Sequence, residues 1–186
     1  MAMTALSQVS EVRKIDRLVR SIDASLKNKK SAELVFADVA DPESEGPEKW
    51  QSFASEKALD KHRETSETYS IAYCWRQNGK LAKSNFTLFS ESGDWTKYVF
   101  HYFRTDGTLA KAAIDYRTFE GDIILLQDIY FNSKGKIITT TNKVLDLTSH
   151  KPKKMTRGIR EEVAQLQQET DYYKSVSKLP FAKLIK

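Results

Sequence analysis

Residues 69–147 read YSIAYCWRQNGKLAKSNFTLFSESGDWTKYVFHYFRTDGTLAKAAIDYRTFEGDIILLQDIYFNSKGKIITTTNKVLDL, with glycines at positions 79, 93, 107, 121 and 135. These five glycines recur at a constant interval of 14 residues, and each follows a polar residue. The runs between them have strand length and are rich in aromatic and β-branched residues. Such runs separated by turn residues are typical of antiparallel strands joined by tight hairpins.

The pattern predicts a six-stranded antiparallel β-meander over residues 68–148, forming a curved sheet or a partial barrel. Asn78-Gly79 and Asp106-Gly107 are pairs that type I′ hairpin turns favour. No motif beyond the turn glycine recurs, so we interpret the period as strand plus turn rather than as a solenoid repeat. The predicted strands are Tyr69–Gln77, Lys80–Glu91, Asp94–Thr105, Thr108–Phe119, Asp122–Ser133 and Lys136–Leu147.

Helical periodicity flanks the meander on both sides. Apolar residues spaced three and four apart predict an N-terminal amphipathic helix over 6–28 and a C-terminal one over 157–177. Between them, 32–63 predicts a short strand, an acidic loop, and a helix that opens at Pro47 and carries Trp50, Phe53 and Leu59. Residues 178–186 form a basic and apolar tail, expected to dock on the protein's own body or to stay disordered. We therefore predict one α+β domain over 1–186, with both amphipathic helices packed on the meander.

The composition is that of an ordinary folded protein. Of 186 residues, 40% are apolar and 30% charged, a balance usual for globular domains. The net charge of +5 favours anionic partners in general. No stretch approaches the ~20 apolar residues of a membrane span, so we predict a soluble chain without one.

The first residues leave the compartment open. Residues 1–5 fit either a native start or a junction left after removal of a signal peptide. A long antiparallel meander curved around a helix is similar in architecture to lipid and small-molecule carriers of bacterial envelopes and to lipocalin-like barrels. On this analogy an exported or periplasmic location is favoured over the cytoplasm.

Two-residue turns throughout would fix the pairing register and divide the side chains between two faces. We expect the more apolar face to lie against the helices. The opposite face mixes aromatic side chains with charges, so we expect curling of the sheet, a partner subunit or a ligand to cover it. The apolar face has two rows: Trp75, Ala82, Phe103, Ala110, Phe131 and Ile138, and Ile71, Phe86, Val99, Ile114, Gln127 and Asn142.

The mixed face holds the candidate ligand-binding residues. Lysines and tyrosines alternate across four neighbouring strands, with two carboxylates nearby. This arrangement can bind an anionic or aromatic ligand through charge-assisted hydrogen bonds and stacking, or can simply stabilise the sheet through cross-strand pairs. The carboxylates would repel phosphate, which makes nucleic acid an unfavoured partner. The six candidates are Lys83, Tyr102, Lys111, Asp115, Asp128 and Tyr130.

Histidine and cysteine suggest no metal or catalytic site. His62, His101 and His150 lie far apart, in no metal-ligand spacing. We expect His101 to be a hydrogen-bonded structural residue. Cys74 is the only cysteine, which excludes an internal disulfide, and its place in a strand predicts a buried, inert thiol.

Acidic residues cluster at the predicted loop near residue 41 without matching an EF-hand, so we expect them to be solvated. No phosphate-binding loop or nucleophile motif is present. We propose no catalytic residue, metal or cofactor. The acids are Asp38, Asp41, Glu43 and Glu45.

Three functions remain at this stage. The leading expectation is a non-catalytic binding protein that holds a hydrophobic or anionic small molecule, or a lipid, on the curved sheet. The first alternative is a protein interaction or homodimerisation module that uses the mixed face or the tail. The second is a small cofactor-independent enzyme with Asp115 or Asp128 as general base.

Overall fold

The computed structural model describes residues 5–40, 46–169 and 172–185. Within these ranges the chain forms three α-helices: α1 (Ala5–Leu26), α2 (Glu56–Arg63) and α3 (Arg157–Glu169). The strands are β1 (Leu34–Asp38), β2 (Trp50–Phe53), β3 (Ser70–Gln77), β4 (Lys80–Phe89), β5 (Trp95–Phe103), β6 (Leu109–Thr118), β7 (Ile123–Phe131) and β8 (Ile137–Asp146).

All eight strands form one antiparallel sheet in the order β2-β1-β3-β4-β5-β6-β7-β8. The predicted α+β class and the meander, β3 to β8, are confirmed. The predicted strand number was wrong, because β1 pairs with β3 and carries β2 on its other edge. The sheet is open, with β2 and β8 at its edges, so the partial barrel is not formed.

The segment after Pro47 differs from the helix expected there. Trp50 and Phe53 belong to β2, and the helix begins only at Glu56, where the Ser55 side chain accepts a hydrogen bond from the Ala58 amide at 3.2 Å. Ser55 is a favoured N-cap residue, which explains why the helix starts there. Of the acidic loop, residues 41–45 lie outside the described part of the chain.

Three β-bulges recur at equivalent positions in the hairpins. In three of the five hairpins, β3–β4, β5–β6 and β7–β8, the pairing register shifts and leaves one residue without a direct partner. In every case this residue lies three positions after the turn glycine, so the three bulges are 28 residues apart. An extra residue in one strand turns two neighbouring side chains to the same face. The bulged residues are Ala82, Ala110 and Ile138.

The bulges determine in which hairpins the predicted strand pairing is correct. In the β5–β6 and β7–β8 hairpins the chain turns through a three-residue loop, one residue longer than the turn assumed in the prediction. The bulge compensates for this additional loop residue, so the predicted pairing is found beyond the bulge. In the β3–β4 hairpin Asn78 and Gly79 both have positive φ (52° and 77°), as in a type I′ turn. There the bulge is not compensated, and the prediction was wrong by one residue over most of β3.

This correction exchanges the two faces of β3. Trp75 pairs with Lys83 rather than with Ala82, and Cys74 pairs with Ser84. Cys74 therefore lies on the apolar face, where it is fully buried. Burial raises the pKa of its thiol, in agreement with the inert role expected for it.

The mixed face of the sheet, called the α1 face from here on, is covered by α1 and α2. Ile15 and Ile22 of α1 are buried against the bulged alanines and two tyrosines of the sheet. Leu59 of α2 packs on Val35 of β1 and Ile71 of β3. The prediction that both terminal helices lie on the apolar face was thus wrong for α1.

The opposite, apolar face is the α3 face and holds the main core. Ile159, Val163 and Leu166 of α3 pack there with Phe36, Phe86 and Val99 of the sheet. The C-terminal segment, residues 172–185, also docks there, and the Phe181 ring stacks on Phe36 with centroids 4.2 Å apart. Of the two outcomes expected for the tail, docking or disorder, docking is the one seen in residues 178–185. The C-terminal helix is shorter than predicted, since α3 ends at Glu169 and residues 170–171 lie outside the described part.

No helix in the described ranges is long and apolar enough to cross a membrane.

Candidate functional site

The lysine and tyrosine row on the α1 face is present as expected. Lys83 pairs with Tyr102, Tyr102 with Lys111, and Lys111 with Tyr130 across β4, β5, β6 and β7. The Lys83 ammonium lies 4.9 Å from the Tyr102 ring centroid, and the Lys111 ammonium lies 5.0 Å from that of Tyr130. Each cation thus rests over the face of the neighbouring phenol, an arrangement that attracts through the ring quadrupole.

Helix α1 supplies the partners of three of these four side chains. The Lys83 ammonium lies 2.7 Å from a carboxylate oxygen of Asp23, and the Tyr102 hydroxyl donates to the same carboxylate at 3.3 Å. The Tyr130 hydroxyl donates to Asp16 at 2.9 Å. The row therefore fixes α1 on the sheet and lies largely beneath it.

Burial and these carboxylates change the acidity of the two phenols. Burial first, and then the charge of Asp23, raises the pKa of Tyr102. Burial and the hydrogen bond to Asp16 raise the pKa of Tyr130 in the same way. Both tyrosines thus stay protonated and act as donors at neutral pH.

The two predicted carboxylates lie farther along the sheet, and each is bound to a cation. Asp128 forms an ion pair with Lys111 at 2.8 Å. Asp115 accepts two hydrogen bonds from Arg117, at 2.9 and 2.8 Å. The bidentate contact raises the pKa of the Arg117 guanidinium. The six predicted residues therefore separate into four that lie under or beside α1 and two that do not.

Asp115 and Asp128 line an open depression of about 510 Å³ on the part of the α1 face beyond α1. We call it the depression. Its floor is apolar and comes from β5, β6 and β7, while polar side chains of β8 form one wall. The lining residues are Phe100, Ala113, Ile114, Asp115, Leu126, Asp128, Thr141, Asn142 and Lys143.

An unsatisfied acceptor lies next to this floor. Asn85 pairs with Phe100 in the β4–β5 register, and its side-chain oxygen is buried with no hydrogen-bond partner in the described part of the protein. A buried acceptor without a partner costs free energy unless something donates to it. This oxygen is enclosed and Asn85 does not line the depression, so it is not a contact for a ligand there.

On the α3 face His101 fills a structural role, as expected. It lies between Ser84 and Ala112 in the register and is fully buried. Its Nε2 accepts a hydrogen bond from the Tyr173 amide at 3.2 Å. Burial lowers the pKa of His101 to about 3, so the ring is neutral at physiological pH and connects the C-terminal segment to the sheet.

The described residues contain no group of three or more His, Cys, Asp or Glu side chains that could hold a metal ion. Of the acidic loop residues, Asp38 accepts hydrogen bonds from the amides of Lys49 and Ala40 at 2.7 and 3.0 Å. It thereby ties the end of β1 to the start of β2. The other three acids of that loop lie outside the described part.

Sequence reasoning missed the role of Asp16 and Asp23. They are seven positions apart, which places both on one flank of α1, beside the apolar stripe. Acids at heptad spacing next to a stripe of apolar residues were the available signal. Their tyrosine and lysine partners could not be assigned without knowing which face of the sheet α1 covers.

Comparison with known proteins gives no relative for this chain: no protein-family model matches it, and no curated protein or solved structure is significantly similar.

Proposed function

We propose that this protein is a non-catalytic binding protein that holds a hydrophobic small molecule or the apolar part of a lipid in the depression. The observation that supports the proposal is an apolar floor left open on a sheet whose surroundings are covered by α1 and α2. Phe100, Ala113 and Leu126 are half-buried there. An apolar concavity with a few polar groups at its rim is the usual form of a small-molecule site.

Between the two ligand classes expected from the sequence, the contacts favour the hydrophobic one. The ammonium groups of Lys83 and Lys111 are already bound to Asp23 and Asp128. The charged side chains that line the depression are the paired carboxylates Asp115 and Asp128 and one lysine, Lys143, so they give no excess of positive charge. A ligand with an apolar body and hydrogen-bond donors therefore fits better than an anion.

The first experiment is mass spectrometry of the purified protein under native and then denaturing conditions. We expect an added mass that disappears on denaturation. If the protein carries no ligand, titration with the neutral fluorescent probe N-phenyl-1-naphthylamine should give saturable binding. The absence of both signals would contradict the proposal.

Two neighbouring threonines of β8 give a matched pair for locating the site. Thr141 lines the depression, whereas Thr140 lies on the opposite face of the same strand, and both are exposed. We expect Thr141→Trp to fill the depression and weaken probe binding at least tenfold, and Thr140→Trp to leave it unchanged. Equal effects of the two substitutions would place the probe elsewhere.

The second candidate function is homodimerisation, and one observation favours it. β8 is an edge strand, its residues 140–143 are exposed, and the Ile137 side chain at its start is 53% exposed. An exposed edge can pair with a second chain, although lysines and bulges at an edge oppose this. The native mass spectrum also reports subunit number, and a monomer at high micromolar concentration would exclude this candidate.

A further inference from the structure

Helix α1 separates its charges between its two sides. Asp16 and Asp23 bind sheet residues. The half-buried Glu11 lies near Arg104, whose pKa is lowered by burial, and the charges of Asp106 and then of Glu11 oppose that lowering. These are the three acids of the helix. Its acidic side chains thus all face the body of the protein.

The outward side of α1 carries a row of three exposed arginines, Arg13, Arg17 and Arg20. Spacings of four and three residues place them along one stripe, and together with Val9 and Ser10 they line a shallow surface depression. We call these three residues the arginine row. Since the acids face inward, the row presents positive charge to the solvent.

Arginine side chains in a row favour phosphate as the anion they meet. The planar guanidinium binds phosphate oxygens in pairs and is less strongly hydrated than an ammonium group. The Val9 side chain beside the row is 50% exposed. An apolar side chain next to cations suits the boundary between headgroups and acyl chains of a bilayer.

The position of α1 points to the same partner. α1 covers part of the face on which the depression opens, so the arginine row and the mouth of the depression face the same side of the molecule. We propose that the arginine row docks the protein on an anionic phospholipid surface, so that the depression opens toward the membrane. The choice of a lipid surface rests on the proposed function, whereas the charge separation on α1 does not.

The test is sedimentation of the full chain with vesicles of phosphatidylglycerol and phosphatidylcholine in equal amounts, at low ionic strength. We expect binding that salt weakens, and none to vesicles of phosphatidylcholine alone. Replacing the row in the variant R13Q/R17Q/R20Q should lower the partition coefficient at least tenfold, because each arginine near the surface contributes about fivefold.

The matched control removes three exposed lysines from the other side of the molecule, in the variant K154Q/K178Q/K183Q. Both variants lose the same charge, and circular dichroism checks that both are folded. Equal loss in the two would mean that net charge alone acts, and would overturn the proposal. Binding to a short single-stranded DNA through the row, without vesicle binding, would assign the row to nucleic acid and also overturn it.

The two proposals fail in different ways. Vesicle binding that depends on the arginine row without any binding of N-phenyl-1-naphthylamine would overturn only the depression as a ligand site. Probe binding without vesicle binding would overturn only the docking surface.

Discussion

The Lys83 ammonium of β4 and the Asp23 carboxylate of α1 are 2.7 Å apart, although 60 positions separate them in the chain. The same carboxylate accepts the Tyr102 hydroxyl. Asp23→Ala would leave a largely enclosed ammonium and a buried phenol without this partner. We expect a loss of about 1–2 kcal/mol in the free energy of unfolding, a modest value because the carboxylate itself is partly exposed.

Urea unfolding at pH 7 measures that loss. Asp60 lies on α2, is exposed, and serves as the control residue. Asp60→Ala should change the unfolding free energy by less than about 0.5 kcal/mol. Equal effects of the two substitutions would show that Asp23 does not fix α1 on the sheet.

The bulge at Ala110 predicts sensitivity to side-chain size. Ala110 is fully buried under Ile15 of α1, so Ala110→Leu should cost about 1–3 kcal/mol through overpacking. Ala113 lies on the same strand, is only half-buried and opens into the depression. Because Ala113 also touches the cluster around Ile22 of α1, Ala113→Leu should cost less than Ala110→Leu, about 1 kcal/mol or less. Thermal unfolding of both variants gives the comparison, and equal stability would argue against tight packing of α1 at the bulge.

The C-terminal segment is expected to contribute strongly to stability. The Phe181 side chain is 1% exposed and lies against three aromatic rings, those of Phe36, Trp50 and Phe86. Phe181→Ala should lower the free energy of unfolding by about 3–5 kcal/mol. Leu184, three residues on, is exposed, and Leu184→Ala should change it by less than about 0.5 kcal/mol. Similar urea midpoints for the two variants would mean that the segment does not pack as described.

His101 predicts a defined pH dependence of stability. Its pKa is about 3 in the folded chain, against 6.5 for an unperturbed histidine. The unfolded chain therefore takes up a proton first as the pH falls. The stabilising effect of the neutral ring is complete above about pH 6.5 and is lost progressively toward pH 3, by about 1.4 kcal/mol per pH unit.

His101→Gln removes this titration while keeping an acceptor for the Tyr173 amide. Between pH 8 and pH 5 we expect wild type to lose about 2 kcal/mol more unfolding free energy than the variant. Urea unfolding at both pH values measures the difference, in which the carboxylates common to both proteins cancel. Equal losses would mean that His101 is not held neutral.

Local sequence predicted the meander well because each turn glycine acts within its own hairpin. All five have φ between 71° and 81°, a region that glycine adopts at little cost, so strand number and order from β3 to β8 follow from local chemistry. The strands β1 and β2, which precede the meander, depend on pairing with residues distant in the chain. Nothing in four residues such as Trp50–Phe53 distinguishes a short edge strand from the first turn of a helix.

The candidate site was harder to predict for a similar reason. The strand register correctly brought Lys83, Tyr102, Lys111 and Tyr130 together on one face. Whether a ligand or a helix would cover them depended on the bulges, two of which make room for α1 by turning an alanine, Ala82 or Ala110, toward it. A bulge has no reliable signal in a single sequence, because its cause is the packing it permits.

The spacing of the Asp16 and Asp23 contacts relates the length of α1 to the width of the sheet. Asp16 and Asp23 are one heptad apart on α1, about 10.5 Å along its axis, while their partners Tyr130 and Tyr102 lie two strands apart, about 9.6 Å across the sheet. One heptad of helix therefore matches one hairpin of 28 residues. A chain that gained or lost such a hairpin would keep the contacts between α1 and the sheet only if α1 gained or lost seven residues at the same time. The lengths of the helix and of the sheet are therefore constrained to change together.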